Sequence, residues 1–332
     1  MRICLLGDFA ENLDEGYKNT SHHLARELEK SHQVIRLDGK RIGTTQFWHD
    51  ALSANPQIIH VISQPTDQSY IITRLLGSIW PKAKTVISAL RPESYFQTGK
   101  ASSFQRNLIR LTHPNLTLAQ SPQSEAVFQE IGCPVAQLPG GVTLERFEPA
   151  APEHKRELRA KYGFDPERSI ILHVGHLQPE RNLQALEPLQ RTGLQVVIAG
   201  SLYMGTNTVL IKQLEEIGFY VLKGYQPHIE ELYQLSDCYV FPTRPGKSLT
   251  MPLSILEAMA CNLPIVTTRF DGLQFKESST FRFIAQGDSI LSIVQETLAT
   301  ATAPHTREMV SAYSWESVIS QLQTYYQGLL AS

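Results

Sequence analysis

The sequence predicts an α/β protein made of two Rossmann-like, doubly wound domains that face each other across a cleft. Three observations carry this expectation. Short β-rich runs alternate with longer amphipathic stretches along the chain. Runs such as Ile170-Ile171-Leu172-His173-Val174 and Val196-Val197-Ile198-Ala199 are apolar continuously, not at every second residue, which is the pattern of parallel strands covered on both faces. A break rich in proline and glycine then separates two such series, and β-α alternation twice over gives two doubly wound domains.

In the first series, Arg2–Leu6, Gln33–Leu37, Gln57–Ile62, Thr85–Ser88, Leu116–Ala119 and Val135–Leu138 read as strands. Thr20–Lys30 reads as a helix. Leu24 and Leu28 share one face, while Arg26, Glu27 and Lys30 sit elsewhere. Leu138-Pro139-Gly140-Gly141 stops the pattern. Phe147-Glu148-Pro149-Ala150-Ala151-Pro152 is punctuated by proline, and a charged helix starts at Glu153, so a hinge is expected over 142–152. The second series offers Ser169–Val174, Gln195–Ala199, Tyr220–Leu222, Cys238–Phe241, Pro264–Thr268 and Phe281–Ile284. The domains are placed at 1–145 and 146–312. No low-complexity segment interrupts them, and the halves share no repeat in their letters.

Composition narrows the function. The 332 residues carry 30 Lys+Arg against 32 Asp+Glu, a net charge of −2, so no global field recruits nucleic acid or membrane. No run approaches the ~18 apolar residues of a membrane-spanning helix. The start Met1-Arg2-Ile3-Cys4-Leu5-Leu6-Gly7-Asp8 turns acidic too early for a secretory leader, and a cytoplasmic protein is expected. Cys4, Cys133, Cys238 and Cys261 lack metal or disulfide spacing and read as small core residues in a reducing compartment.

Doubly wound domains bind ligands in the crevice at the carboxyl ends of their strands, and a nucleotide is the obvious candidate. Neither G-x-G-x-x-G nor the Walker A pattern follows any candidate strand, which argues against an NAD enzyme and a P-loop kinase. What remains is a nucleotide diphosphate held by helix N-termini and one or two cations. Neither H-E-x-x-H nor D-x-D points to a metal, and no cofactor is expected.

The segment Pro252-Leu253-Ser254-Ile255-Leu256-Glu257-Ala258-Met259-Ala260-Cys261-Asn262-Leu263-Pro264-Ile265-Val266-Thr267-Thr268 resembles the P-L-x-x-L-E-A-M-A-x-G-x-P-V-V-x-T stretch of the family 4 (group 1) retaining glycosyltransferases of GT-B fold. Further pieces follow in the family's order. Gly140-Gly141-Val142 and Phe147-Glu148-Pro149 resemble the entry to its second domain. His173-Val174-Gly175-His176-Leu177 with Arg181-Asn182 resembles V-G-R-L-x-x-x-K-x. Ile198-Ala199-Gly200 resembles a strand end. Gly224-Tyr225, Tyr233, Asp237 and Phe241-Pro242 resemble one spaced motif, and Tyr313-Ser314-Trp315-Glu316 resembles the F-S-W-E that opens the last helix. The match is dense over 139–330. Over 1–138 it rests on Glu15-Gly16 and Ile58-Ile59-His60-Val61.

The resemblance implies a terminal segment, 313–332, that packs back on the first domain. It also implies site residues for a nucleotide-sugar donor. Leu253 and Ser254 open a helix whose N–H groups and partial positive charge suit a diphosphate. Glu257 stands where the family accepts hydrogen bonds from ribose hydroxyls. Arg181 stands at the family's diphosphate-binding Lys, and its fork suits phosphate. Tyr225 and Ile229 fall where the base is flanked, and Gly16 and Gly175 fall in donor-binding motifs. Lys247 and Thr250 belong to the loop Arg244-Pro245-Gly246-Lys247-Ser248-Leu249-Thr250, which departs from the family: its donor-sugar Glu is Leu249 here. The family's second diphosphate cation is His176, and Lys247 or Arg244 would compensate. The candidates for catalysis are Arg181 and Lys247. The family's first-domain His has no counterpart in Thr85-Val86-Ile87-Ser88 and the residues after it.

Other histidines read more plainly. His22 and His23 are expected on a solvated helix face with some packing. His60 is expected at a strand end, lining the cleft or satisfied locally. From Lys82 to Arg110, six cations (Lys82, Lys84, Arg91, Lys100, Arg106, Arg110) face one anion (Glu93), with Phe96, Phe104, Leu108 and Ile109 interleaved. That segment suits an anionic membrane surface or a charged acceptor, or is a solvated helix face. The expected function is transfer of a sugar from a nucleotide-diphosphate-sugar donor to an acceptor, lipid-linked or polysaccharide, with retention. Alternatives are a non-catalytic GT-B scaffold, favoured by Leu249 and His176, and another GT-B enzyme such as a sugar-nucleotide epimerase.

Overall fold

Each apolar run becomes a parallel strand. The computed structural model describes residues 1–9, 16–90, 103–201, 207–244, 251–270, 272–300 and 305–332. The first series forms β1 (Arg2–Gly7), α1 (Gly16–Glu29), β2 (Gln33–Asp38), α2 (Thr45–Ser53), β3 (Ile58–Ser63), α3 (Asp67–Ile79), β4 (Lys84–Ala89), α4 (Ser103–Thr112), β5 (Leu116–Ala119), α5 (Pro122–Ile131) and β6 (Val135–Gln137). The second forms α6 (Pro152–Tyr162), β7 (Ile170–His176), α7 (Glu187–Arg191), β8 (Gln195–Ser201), α8 (Thr208–Ile217), β9 (Tyr220–Lys223), α9 (Ile229–Leu235), β10 (Cys238–Phe241), α10 (Leu253–Ala260), β11 (Ile265–Thr268), β12 (Phe281–Ile284), α11 (Ile290–Thr300), α12 (Thr306–Val310) and α13 (Trp315–Ala331). The chain divides into two units. Met1–Gly141 and Trp315–Ser332 belong to one, and residues 142–244 and 252–314 belong to the other.

The first unit's sheet runs β2-β1-β3-β4-β5-β6, all parallel. Parallel neighbours require crossovers, and helices supply them while covering both faces. Alternation sorts the strand side chains. Ile3, Leu5, Ile58, Ile62 and Val86 pack with Leu24 and Leu28 of α1 and with Trp315, Val318 and Leu322 of α13. Cys4, Leu6, Ile59, Val61 and Ile87 pack on the opposite face with Phe47 of α2, Tyr70 of α3 and Phe128 of α5. Helix starts follow their local chemistry. Thr66 and Ser69 form a capping box at α3. Ser121 caps α5 ahead of Pro122, and Gly132 ends that helix at φ 86°, where a left-handed residue is needed.

His60 corrects one expectation. It lies inside β3, not at its end, and is fully buried. Its Nδ1 is 2.6 Å from the Tyr326 hydroxyl and its Nε2 is 2.8 Å from Ser88 Oγ, so both ring nitrogens are satisfied within the core. Burial holds its pKa down at about 3, and the ring is neutral. His22 and His23 are half-buried, and His23 stacks on Trp315. All four cysteines are buried. Burial pushes Cys4 up to about 12, which keeps it an inert thiol.

The second unit's sheet runs β12-β11-β10-β7-β8-β9, again parallel. Ile171, Val196, Ile198, Cys238, Val240 and Val266 pack against Leu189 of α7, Leu210 and Leu214 of α8, and Ile293 and Val294 of α11. The strand order reverses between β7 and β10. The chain winds outward from β7 through β8 to β9, then crosses back to β10 and winds the other way. In open doubly wound sheets, such a switch point opens a crevice beyond the strand ends.

Candidate functional site

The carboxyl ends of β7 and β10 therefore locate the site within the second unit. β7 ends in Gly175 and His176, and Gly175 lies in register with Gly200 of β8. β10 ends in Phe241. A Cβ on Gly175 would lie 3.1 Å from His173 Nε2, tight enough to crowd the imidazole, and 3.9 Å from Arg181 Nε, an ordinary contact. Arg181 closes a three-residue 3₁₀ turn, Pro179–Arg181, and does not open a helix. Its guanidinium lies 4.8 Å from the Phe241 ring centroid, a cation–π contact that orients the fork.

Aromatic rings carry the site inward. His173 stacks on Phe241 and on Tyr239, with centroids 5.3 and 6.4 Å apart. Tyr239 lies 5.9 Å from Tyr233 of α9. The Tyr239 hydroxyl is 3.1 Å from the Val174 carbonyl and 2.8 Å from Ser254 Oγ. A phenol has one proton and the carbonyl only accepts, so the Ser254 hydroxyl is free to donate back to Tyr239. This fixes the start of α10, where Pro252 offers no side-chain cap. The Tyr233 hydroxyl donates to Glu257 Oε2 at 2.6 Å. Burial raises the Glu257 pKa, against the Tyr233 hydrogen bond and the charge of Arg146, which lower it. Glu257 is thus a partly buried carboxyl with one fixed partner and one oxygen still available for donors.

Arg181, Gly175, Ser254 and Glu257 are thereby joined by one run of contacts through Phe241, His173, Tyr239 and Tyr233. Leu253 and Ser254 do open a helix, and Glu257 follows one turn on. Ile229 opens α9, with Tyr233 one turn later, while Tyr225 is exposed just after Gly224. Gly16 opens α1 in the first unit. Arg244 is exposed, and its backbone N–H donates to the Glu180 carbonyl. Lys247, Leu249 and Thr250 lie outside the described residues, as does Glu15. Sequence reasoning gave no separate weight to His173 and Tyr239. Two aromatics at i and i+2 in an otherwise aliphatic strand, Tyr239 and Phe241, were the available signal.

Comparison with known proteins supplies the family. Residues 168–300 match the model described as glycosyl transferases group 1. Over that stretch the chain is similar to the group 1 glycosyl transferases. A D-inositol 3-phosphate glycosyltransferase of Frankia alni is 29% identical over 150 residues, which are 40% of this chain and 36% of that protein. A GDP-mannose-dependent phosphatidylinositol monomannoside mannosyltransferase of Corynebacterium glutamicum is 26% identical over 211 residues, which are 57% of this chain and 55% of that one. The chain thus spans about a third to a half of the length of the curated relatives it matches. Among solved structures, sucrose-phosphate synthase from Thermosynechococcus elongatus superposes at TM-score 0.78, with 17% identity and 99% of each chain covered. HepE of Anabaena, solved with UDP and glucose, superposes at 0.76 with 16% identity, over 99% of this chain and 100% of that one. The glycosyl transferase fold, two Rossmann-like units of GT-B type, is that of these neighbours.

Proposed function

We propose that the chain transfers a sugar from a nucleotide-diphosphate-sugar donor to an acceptor, with retention of anomeric configuration. The observation that carries this is the β7/β10 switch point, where a stacked arginine, a glycine notch, a helix start and a partly buried glutamate are linked. Each suits one part of the donor. Glu257 accepts from the ribose hydroxyls through the oxygen edge that Tyr233 leaves available. The start of α10 and the Arg181 fork meet the diphosphate. As the bond from sugar to diphosphate breaks, negative charge grows on the departing oxygens. The same two groups, already oriented by Tyr239 and Phe241, stabilise that charge. Lys247 is a second candidate cation. UDP-sugars are the first donors to try, because HepE was crystallised with UDP and with UDP-glucose. GDP-mannose is the second, from the name of the Corynebacterium relative.

Calorimetric titration with UDP and GDP tests the site. Arg181→Ala and Glu257→Ala should each weaken binding of the accepted nucleotide by ~1.5–3 kcal/mol, the cost of a lost charged hydrogen bond. Unchanged affinity in both variants, with circular dichroism intact, would refute the assignment. A non-catalytic scaffold is the second reading, favoured by Leu249 where the family carries its donor-sugar Glu. Donor hydrolysis and transfer assays over UDP-, GDP- and ADP-sugars separate the two: a scaffold binds nucleotide and turns over none.

A further inference from the structure

We propose that Thr243 is a positioning residue for Arg181: its hydroxyl, bonded to the Glu180 carbonyl, sets where the turn that carries Arg181 stands beside β10. The inference rests on the reading of Arg181 as a diphosphate ligand. Arg181 ends a 3₁₀ turn of three residues, Pro179–Arg181. Two backbone bonds close it, from Arg181 N–H to the Gln178 carbonyl at 3.0 Å and from Asn182 N–H to the Pro179 carbonyl at 3.1 Å. Gln178, at its start, makes no side-chain cap. So short a turn has little stiffness of its own, and its place is set by what it touches.

What it touches lies just past the carboxyl end of β10. The Glu180 carbonyl accepts twice from there, from Thr243 Oγ1 at 3.0 Å and from the Arg244 backbone N–H at 3.0 Å. Either donor alone would satisfy that oxygen. The second bond therefore adds geometry: two donors on the two lone pairs of one carbonyl fix the turn in direction as well as in distance. Thr243 is only 2% exposed and is itself anchored, because Thr268 Oγ1, at the end of β11, donates to its carbonyl at 2.8 Å. Threonine hydroxyls commonly bond to backbone a few residues away, whereas this one reaches 63 positions along the chain. The bond is thus no by-product of local turn chemistry. Phe241, two residues before Thr243, makes the cation–π contact with the Arg181 guanidinium. One segment therefore holds the backbone of the turn through Thr243 and the side chain of Arg181 through Phe241. On the entry side, Leu177 packs so closely over Gly200 of β8 that a Cβ there would clash with it, which fixes where the chain starts the turn.

The test uses the whole chain, with UDP and GDP as diphosphate probes and uridine and guanosine as controls that lack phosphate. Thr243→Val keeps the branched shape and removes the hydroxyl. Affinity for the accepted diphosphate should fall roughly three- to tenfold, the scale of a lost hydrogen bond between neutral groups. Nucleoside affinity should stay as it is. Thr243→Ser keeps the hydroxyl and should bind like the wild type. Combined with Arg181→Ala, the Val substitution should cost nothing more, because its effect passes through Arg181. Should the Val variant fail to fold, Thr243→Ala removes the hydroxyl without setting a methyl against the Glu180 carbonyl. Equal losses for diphosphate and nucleoside, a Ser variant as weak as the Val variant, losses that add fully to Arg181→Ala, or no loss at all would overturn the inference. Failure of both the Val and the Ala variants to fold would overturn it too, because Thr243 would then serve the fold. If Arg181→Ala itself leaves diphosphate affinity unchanged, the donor reading falls first and this one with it.

Discussion

At the scale of single residues, Glu257 is where stability and binding pull apart. Burial raises its pKa, so the folded chain holds the carboxyl proton more tightly than the unfolded chain does. A raised carboxyl contributes stability that is fully present below its unfolded pKa and is lost as pH rises through the folded value. Glu257→Gln keeps an oxygen for the Tyr233 hydroxyl and removes the charge. Its melting temperature should match the wild type under acid conditions and exceed it near neutral pH, the gap opening as pH rises. Nucleotide affinity should fall in the same variant, since a neutral amide is the weaker acceptor for ribose hydroxyls. Differential scanning fluorimetry across acid to neutral buffers checks the first half. A melting-temperature difference that does not change with pH would show that burial is not what sets this group's protonation. Much of this was legible in the letters: Glu257 and Arg181 stand in a recognisable motif order. Tyr233 as the partner of Glu257 was not, because the pairing joins two helices 24 positions apart and no local period reports it. Of the two readings of His60, the satisfied one holds, but its partner Tyr326, 266 positions away, was not legible for the same reason.

At the scale of elements, α13 is the piece whose role rests on long-range contacts. Its Trp315, Val318, Leu322 and Tyr326 complete the core face that β1, β3 and α1 begin. Gly141 is required at the entry to that packing, since a Cβ there would clash with the Trp315 ring. The polar chain Tyr326–His60–Ser88 fixes the helix in register, because a shifted helix would strand a buried imidazole nitrogen. Tyr326→Phe keeps the ring and removes the hydroxyl. It should destabilise the fold by about 1–3 kcal/mol, the cost of an unsatisfied buried group. Urea unfolding should register this as a lower midpoint at unchanged slope. A midpoint equal to wild type would mean that apolar packing alone seats the helix. The strands themselves were legible because continuous apolar runs have few alternatives in an α/β chain. The letters of 244–250 break the family's pattern without replacing it by another, and 245–250 lie outside the described residues.

At the scale of the whole molecule, charge is nearly balanced but not evenly spread. The net of −2 hides the cationic segment Lys82–Arg110. Arg91 and Lys100, with Glu93 and Phe96, lie outside the described residues. The described part includes α4, where Phe104 is 75% and Leu111 is 80% exposed. These two stand seven positions apart and so share one side of the helix, while Ile109 points into the core. Among the described residues, no helix is long and apolar enough to cross a membrane. An exposed apolar pair beside cations is the arrangement for lying on an anionic leaflet, where each cation contributes up to ~1 kcal/mol. The attraction fades beyond a Debye length of ~8 Å at physiological salt. Sedimentation with vesicles should show binding to anionic but not to neutral lipid at low salt, with a sharp loss at high salt. Arg106→Ser with Arg110→Ser should weaken the low-salt binding. Phe104→Ser with Leu111→Ser should weaken what persists as salt rises, since burial of apolar side chains is not screened. Equal partitioning onto both vesicle types, or none onto anionic vesicles at low salt, would leave the segment a solvated face. A charged soluble acceptor would then be the partner to titrate against the same variants.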